Sequence, residues 1–213
     1  MSSLITVVDY GVGNICSVKR AFEQAGKTVE VTNEKIRIEK ADKLVLPGVG
    51  AFPRAMKLLE EKNLIEPILS FIKKERPLLA ICLGMQLLFQ ESNEFYLTKG
   101  LGLVEGEIIG ISEMNKTDLN VKVPNIGWHP LKINQFEKFS SRLLNGIDET
   151  DFFYFVHSYM ANKVNTNQIT ASIEYFNVNV PAVVEIKNIF GCQFHTEKSG
   201  KSGLKIVGNF AKI

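Results

Sequence analysis

With 213 residues the chain is long enough to fill one hydrophobic core, and no linker, internal repeat or low-complexity tract divides it, so one domain over residues 1–213 is expected. Hydrophobic residues make up 45% and charged residues 23%, with a net charge of +2, which excludes a disordered chain and gives no ground for a nucleic-acid partner. Three widely spaced cysteines, Cys16, Cys82 and Cys192, argue against a disulfide framework and for a reducing cytoplasm; "MSSLITVVDYGVG" lacks the basic start of a signal peptide, and no run reaches the roughly 20 apolar residues of a membrane span.

In chain order, "LITVV" (4–8) reads as a buried strand, and "ICSVKRAFEQA" (15–25), closed by Gly26, as a helix with Ile15, Val18 and Phe22 on one face. "TVEVT" (28–32) and "KLVLP" (43–47) are the next strands. Pro53 suits the first turn of a helix through "AMKLLEE", and "IEPILSFIKK" forms another, with "KKER" (73–76) as its solvated end. "LLAI" (78–81) then leads into a helix at "LGMQLLF". Such strand-helix alternation implies an α/β fold, a largely parallel sheet with helices on both faces. After about residue 100 the runs "LVEGEIIGI", "WHPLKI", "FFYFV", "QITASIEYF", "AVVEI" and "IFGCQF" are strand-like, and antiparallel additions to the same sheet are expected. "GLKIVGNFAKI" reads as the last helix.

Two glycine-rich stretches fail as nucleotide sites. "DYGVGNIC" follows the first strand, but the third glycine of a dinucleotide fingerprint falls on Cys16, which leaves a tight turn into a helix. "SGKSG" (199–203) resembles the end of a phosphate-binding loop, yet His195 occupies the position of its first glycine. "LPGVGAF" (46–52) is different: Gly48 and Gly50 flank Val49 directly after a strand, so the peptides beside Val49 have the freedom to aim an N–H at a developing negative charge.

Cys82 stands where a strand turns straight into a helix. That elbow, above the carboxyl edge of a sheet and facing a helix N-terminus, favours a thiolate, with Gly84 leaving room for tight packing. Ala80 departs from the fully glycine-flanked nucleophile elbow, and "AICLG" alone leaves a buried structural cysteine open. A nucleophilic thiol needs a base and a group to hold the base. Of the three histidines, His195 in "HTE" has Glu197 two residues on, on the same side of an extended backbone, whereas His129 and His157 lack such a carboxylate and read as structural. No HxxxH, HxH or CxxC spacing supports a metal site.

With Cys82, His195 and Glu197 assembled, the chain resembles the class I glutamine amidotransferases, whose triad runs Cys…His-x-Glu, and within them the glutaminase subunits that serve imidazole glycerol phosphate synthases. The matching segments are "DYGVGNI" (9–15), "LPGVGAF" (46–52), "ICLGMQLLF" (81–89), "GLGLVEG" (100–106), "VPNIGW" (123–128), "YFVHSY" (154–159) and "QFHTEKSG" (193–200). The resemblance implies a three-layer α/β/α fold and hydrolysis of glutamine to glutamate and ammonia, without metal or other cofactor. It implies that Cys82 attacks the carboxamide, His195 shuttles protons and Glu197 orients His195. Backbone N–H groups of Leu83 and the Gly48-Val49-Gly50 loop would hold the oxyanion, and Gln86 with the Ser158 and Tyr159 backbone would hold glutamine. It further implies a heterodimer with a cyclase-type synthase subunit that uses the ammonia to make imidazole glycerol phosphate and AICAR in histidine biosynthesis, with Asn14, Trp128 and Lys198 at the interface. The single tryptophan has a core position as its alternative. A flip of a peptide beside Val49 would let the partner switch the glutaminase on.

Two departures from the family pattern stand out. Thr196 replaces the usual proline between histidine and glutamate, and Pro53-Arg54 stand where glycine and an acid are commoner. They leave room for a paralogous glutaminase feeding another synthase, such as one amidating a sugar for surface polysaccharide; a non-catalytic regulatory subunit is a separate alternative, against which the intact triad argues.

Overall fold

The computed structural model describes residues 4–114, 121–134 and 141–213. In the first half, the apolar runs form Ile5–Val8 (β1), Val29–Thr32 (β2), Lys43–Gly48 (β3) and Leu78–Cys82 (β4), all parallel and side by side in the order β2-β1-β3-β4. The intervening helices are Ile15–Gln24 (α1), Lys35–Lys40 (α2), Phe52–Glu61 (α3) and Ile65–Lys73 (α4), and Leu83–Leu87 (α5) follows β4 without a break. The short α2 has no counterpart in the sequence reading, because Ile38 is its one buried side chain and six residues are too few to establish a helical period.

The second half contributes Phe89–Ser92 (β5), Thr98–Lys99 (β6), Val104–Gly110 (β7), a short helix Ile111–Met114 (α6), Asn125–Pro130 (β8), Lys132–Ile133 (β9), Phe152–His157 (β10) and Tyr159–Asn162 (β11). Ile169–Tyr175 (β12), Val178–Ile186 (β13), Ile189–Cys192 (β14) and the helix Gly200–Phe210 (α7) complete it. The expectation that all these strands extend one sheet needs correction. The main sheet runs β2-β1-β3-β4-β14-β13-β12-β9, whereas β11-β7-β5-β6 make a separate four-stranded sheet and β10-β8 a two-stranded one. β14 is parallel to β4, and β13, β12 and β9 continue antiparallel. Alternation identifies a strand but not its partner, which is set by where each half-buried face finds apolar cover.

Central strands alternate their side chains between two apolar clusters, which is why they read as continuous hydrophobic runs. Val7, Val45, Leu79 and Ile81 meet Val18 and Phe22 of α1 and Ile206 and Phe210 of α7 on one face. Leu44, Leu46, Leu78 and Ala80 meet Phe52 and Leu59 of α3 and Ile68 and Phe71 of α4 on the other. Helices thus cover both faces of the sheet. The carboxyl ends of β3, β4 and β14 come together in register, Gly48 beside Cys82 and Cys192 beside Ile81, and this edge carries the chemistry-bearing residues.

Candidate active site

Cys82 ends β4 and caps α5 with φ +54° and ψ −113°, a conformation that costs a non-glycine residue of order 1–3 kcal/mol and is kept up by its surroundings. Those surroundings are glycines. A Cβ on Gly84 would lie 2.0 Å from the Leu46 carbonyl oxygen, and one on Gly48 would lie 2.7 Å from the Gly84 nitrogen, so only glycine lets α5 start this close to β3. Tyr10 supports the same corner: fully buried, it donates its hydroxyl to the Pro47 carbonyl at 2.8 Å. Burial, reinforced by the nearby Cys82 sulfur, pushes that phenol well above its ordinary range, so it stays neutral.

His195 and Glu197 meet in a manner that differs from the expected extended backbone. β14 ends at Cys192, His195 is extended (φ −81°, ψ 103°), and Thr196–Lys198 form a single 3-10 turn. The turn brings Glu197 Oε1 to 2.8 Å from His195 Nδ1, with the two side chains only 1% and 3% exposed. The Ser199 hydroxyl fastens the turn by donating to the His195 carbonyl at 2.6 Å and accepting from the Tyr154 N–H of β10 at 3.0 Å. Gly203 lets α7 press on it, since a Cβ there would lie 1.9 Å from the Thr196 carbonyl oxygen.

The electrostatics pair the thiol with the imidazole. Burial alone would lower the His195 pKa, but hydrogen bonds to Cys82 and Glu197, and their charges, outweigh it and raise the value to about 10. The arrangement thus favours the imidazolium form of His195, set between the Cys82 sulfur and the Glu197 carboxylate. His157 is the opposite case. Burial, partly offset by its bond to Tyr159, holds its pKa down at about 4. As a neutral ring it donates from Nδ1 to the Tyr159 carbonyl (2.8 Å) and accepts at Nε2 from Asn125 Nδ2 (3.1 Å), while Asn125 Oδ1 accepts from His129 Nε2 (2.9 Å). Both these histidines are tied into one hydrogen-bonded chain through Asn125, and His157 also lines the cavity at Cys82. Of the other cysteines, Cys16 is exposed and Cys192 is buried, which drives its thiol pKa up and leaves it inert.

A cavity of about 340 Å³ opens onto Cys82 and His195, and Val49, Gly50, Leu83, Gln86, Ser158 and Tyr159 are all on its wall. Cys82 itself is only 6% exposed, so the thiol is reached through this cavity and not across an open elbow. Gly50 has φ +97° with nothing near its Cβ position, whereas Gly48 is clamped against Gly84, so freedom in this loop is concentrated at the Val49-Gly50 end. Gln86 donates from Nε2 both to the Tyr159 carbonyl (3.1 Å) and to Gln193 Oε1 (3.0 Å).

Two polar residues at the site went unnoticed in the sequence. Glu94 lines the cavity and accepts the Phe52 N–H at 2.6 Å; burial raises its pKa, with that hydrogen bond partly opposing. Gln193 is fully buried with its Nε2 3.9 Å from the Cys82 sulfur. Gln193 directly follows the end of β14, and nothing in its spacing marks it in the sequence. Asn14, expected toward a partner, is half-buried and donates from Nδ2 to Glu197 Oε1 at 3.2 Å. Trp128 is 52% exposed, with its ring tilted against that of Tyr154, which removes the core alternative, and Lys198 is exposed. A larger cavity of about 840 Å³ along β9 and β12 has no cysteine or histidine on its wall. Among the described residues no group of His, Cys, Asp and Glu is placed to hold a metal ion.

This geometry, a strained cysteine paired with a buried His-Glu couple at the mouth of a pocket, is that of a nucleophilic acyl-transfer site. The family described as glutamine amidotransferase class-I matches residues 6–213, and the chain belongs to that family. Within it, the chain is similar to proteins named imidazole glycerol phosphate synthase subunit HisH. It is 42% identical to the one from Bacillus thuringiensis over 99% of this chain and 95% of the relative. The relative from Legionella pneumophila, HisH 1, is 41% identical over 99% and 100%, and that from Caldanaerobacter subterraneus 40% identical over 99% and 98%. In fold, the structure of PurLQS from Thermotoga maritima superposes with a TM-score of 0.75, covering 100% of this chain and 99% of that one at 18% identity. A putative GMP synthase protein from Thermoplasma acidophilum gives 0.70, covering 100% and 94% at 17% identity.

Proposed function

We propose that this chain is the glutaminase subunit of an imidazole glycerol phosphate synthase, hydrolysing glutamine and passing the ammonia to a cyclase subunit in histidine biosynthesis. The observation that carries this reading is the 40–42% identity over nearly the whole length to subunits of that name. It favours the main reading over a glutaminase serving a sugar-amidating synthase.

In the proposed reaction the Cys82 thiolate attacks the side-chain carboxamide of glutamine, and the carbonyl electrons move onto oxygen. N–H groups of Leu83 and of the loop around Val49 stabilise that oxyanion, a contribution of about 3–4 kcal/mol per donor in comparable sites. His195, held as imidazolium beside Glu197, gives its proton to the departing nitrogen, and ammonia leaves a thioester on Cys82. His195 then takes a proton from water, whose oxygen displaces the thiolate to release glutamate. Glu94 suits the α-ammonium of the substrate, and the backbone of Ser158 and Tyr159 suits its other end. With both N–H bonds of Gln86 committed, its carbonyl oxygen is the atom left to accept from a ligand.

The reading of a synthase partner draws support from the outer face of β8 and β10. Ile126, Trp128 and Phe152 are 59%, 52% and 47% exposed, and Pro124 and Val156 beside them line the cavity mouth. An exposed apolar face at the mouth of an ammonia-producing site suits a partner that receives the product. The partner would stabilise the Val49-Gly50 peptide in its donating orientation, so that glutamine is consumed only in the complex. The test is glutamine turnover by the isolated chain and by its mixture with a purified cyclase and the cyclase's acceptor. Stimulation of turnover, with glutamine-dependent product, is expected; a full rate without the partner would overturn the gating, and no product with it would overturn the assignment.

A further inference from the structure

We propose that Gln193 is a further catalytic residue of this site, a second hydrogen-bond donor to the Cys82 sulfur beside His195. The proposal rests on the glutaminase reading of Cys82 and adds a residue to it.

The local fold accounts for the placement. Gln193 follows β14, and its backbone N–H is fixed to the Ala182 carbonyl at 2.9 Å, continuing the ladder with β13 for one more residue. Cys192 is in register with Ile81, so the next residue on each strand is Gln193 beside Cys82. Its side chain has no exposure to solvent, and the amide sits between Gln86 on one side and the sulfur on the other.

Which end of that amide faces the sulfur is decided by a chain of hydrogen bonds that begins at a backbone carbonyl. Tyr159 O is an acceptor only, so the atom of Gln86 at 3.1 Å from it is the NH₂ group. The second N–H of the same group points at Gln193, 3.0 Å away, where only an oxygen can receive it. Gln193 must then turn its own NH₂ toward Cys82 Sγ, at 3.9 Å. A flip of either amide would set donor against donor or oxygen against oxygen in a buried site. The sulfur therefore faces an N–H and not a carbonyl oxygen, an arrangement that suits a thiolate.

Two other side chains interact with the sulfur: His195, a cationic donor whose far nitrogen is held by Glu197, and Tyr10, a neutral phenol whose hydroxyl is already given to the Pro47 carbonyl. Gln193 is thus the uncharged side-chain donor left free to serve the sulfur. It holds the thiolate in one position without adding a proton that the sulfur could take. It also connects the nucleophile through Gln86 to Tyr159, on the wall where glutamine is proposed to bind.

The test is the pH dependence of Cys82 alkylation by iodoacetamide, in a Cys16→Ser background that removes the exposed competing thiol. Loss of one long N–H···S bond in Gln193→Leu should move the alkylation midpoint upward by about half to one pH unit, roughly a three- to tenfold loss of thiolate at fixed pH. Gln193→Glu, with the same shape and an acceptor or negative charge facing the sulfur, should move it further. If the leucine variant does not fold, Gln193→Met carries the same expectation. A midpoint unchanged in the folded variants, with only the KM for glutamine raised, would show that Gln193 merely supports Gln86 and would overturn the proposal. The measurement needs neither glutamine nor a partner, so its failure leaves the glutaminase reading standing.

Discussion

Thr196→Pro should stabilise the protein without loss of activity. The residue opens the 3-10 turn that carries Glu197, and its predecessor His195 has φ −81° and ψ 103°, the extended conformation a residue before proline prefers. Proline at the first position of a helical turn gives up an N–H that the turn does not use. The Thr196 side chain is also a liability: its hydroxyl is buried and, among the described residues, has no hydrogen-bond partner, which costs about 1–3 kcal/mol. Proline removes that hydroxyl and lowers unfolded-chain entropy by about 0.4–1 kcal/mol. A net gain of about 2 kcal/mol corresponds to a rise in Tm of roughly 4–8 °C for a chain of this size. Thermal unfolding of wild type and variant, with glutamine turnover measured on both, checks it. A lower Tm with lost turnover would mean that the Thr196 backbone or hydroxyl makes an interaction that proline cannot replace.

Acidification should expose His157. A base whose pKa falls from 6.5 to about 4 on folding binds fewer protons in the native state, so stability is lost as pH drops from 6.5 toward 4, by up to about 3 kcal/mol. His195, raised to about 10, is protonated in both states across that window; its contribution is complete below 6.5 and declines only as pH rises toward 10. Urea unfolding at pH 7 and 4.5 should therefore show a shallower pH dependence for His157→Gln than for wild type, and equal slopes would refute the assignment. Asn14→Ala should lower kcat for glutamine by about tenfold, the lower end of the scale for losing one hydrogen bond to a charged carboxylate. Asn14→Asp, which sets a like charge against Glu197, should lower it further, and an aspartate variant as active as wild type would show that the 3.2 Å contact does not orient the triad.

Much of the scaffold was readable because period-2 and continuous apolar runs report burial directly. β1, β3 and β4 lie where "LITVV", "KLVLP" and "LLAI" put them, and Pro53 falls in the first turn of α3. The division into three sheets was not readable, because β7, β8 and β10 present the same alternation whether they join the main sheet or leave it. Cys82, His195 and Glu197 could be grouped from chemistry alone. The turn that joins the last two could not, since an i, i+2 pair suggests plain extended backbone, whereas here an extended His195 is followed at once by the 3-10 turn that swings Glu197 back to it. Gln193 and Glu94 were hidden for a different reason: a glutamine or glutamate has no spacing signature, and each acquires a role only from the atoms its side chain meets in three dimensions. Thr196 was legible as a departure from the family, but its buried hydroxyl was visible only in three dimensions.

That this chain makes ammonia at Cys82 for a partner to use is tested most directly by synthesis in the complex carrying Cys82→Ser. With glutamine as nitrogen source, product formation should fall to background. With ammonium salts at high pH it should continue at the wild-type rate, because the acceptor site is on the partner. Equal loss of both activities would contradict this, as it would mean that Cys82 serves folding or docking and not the release of ammonia.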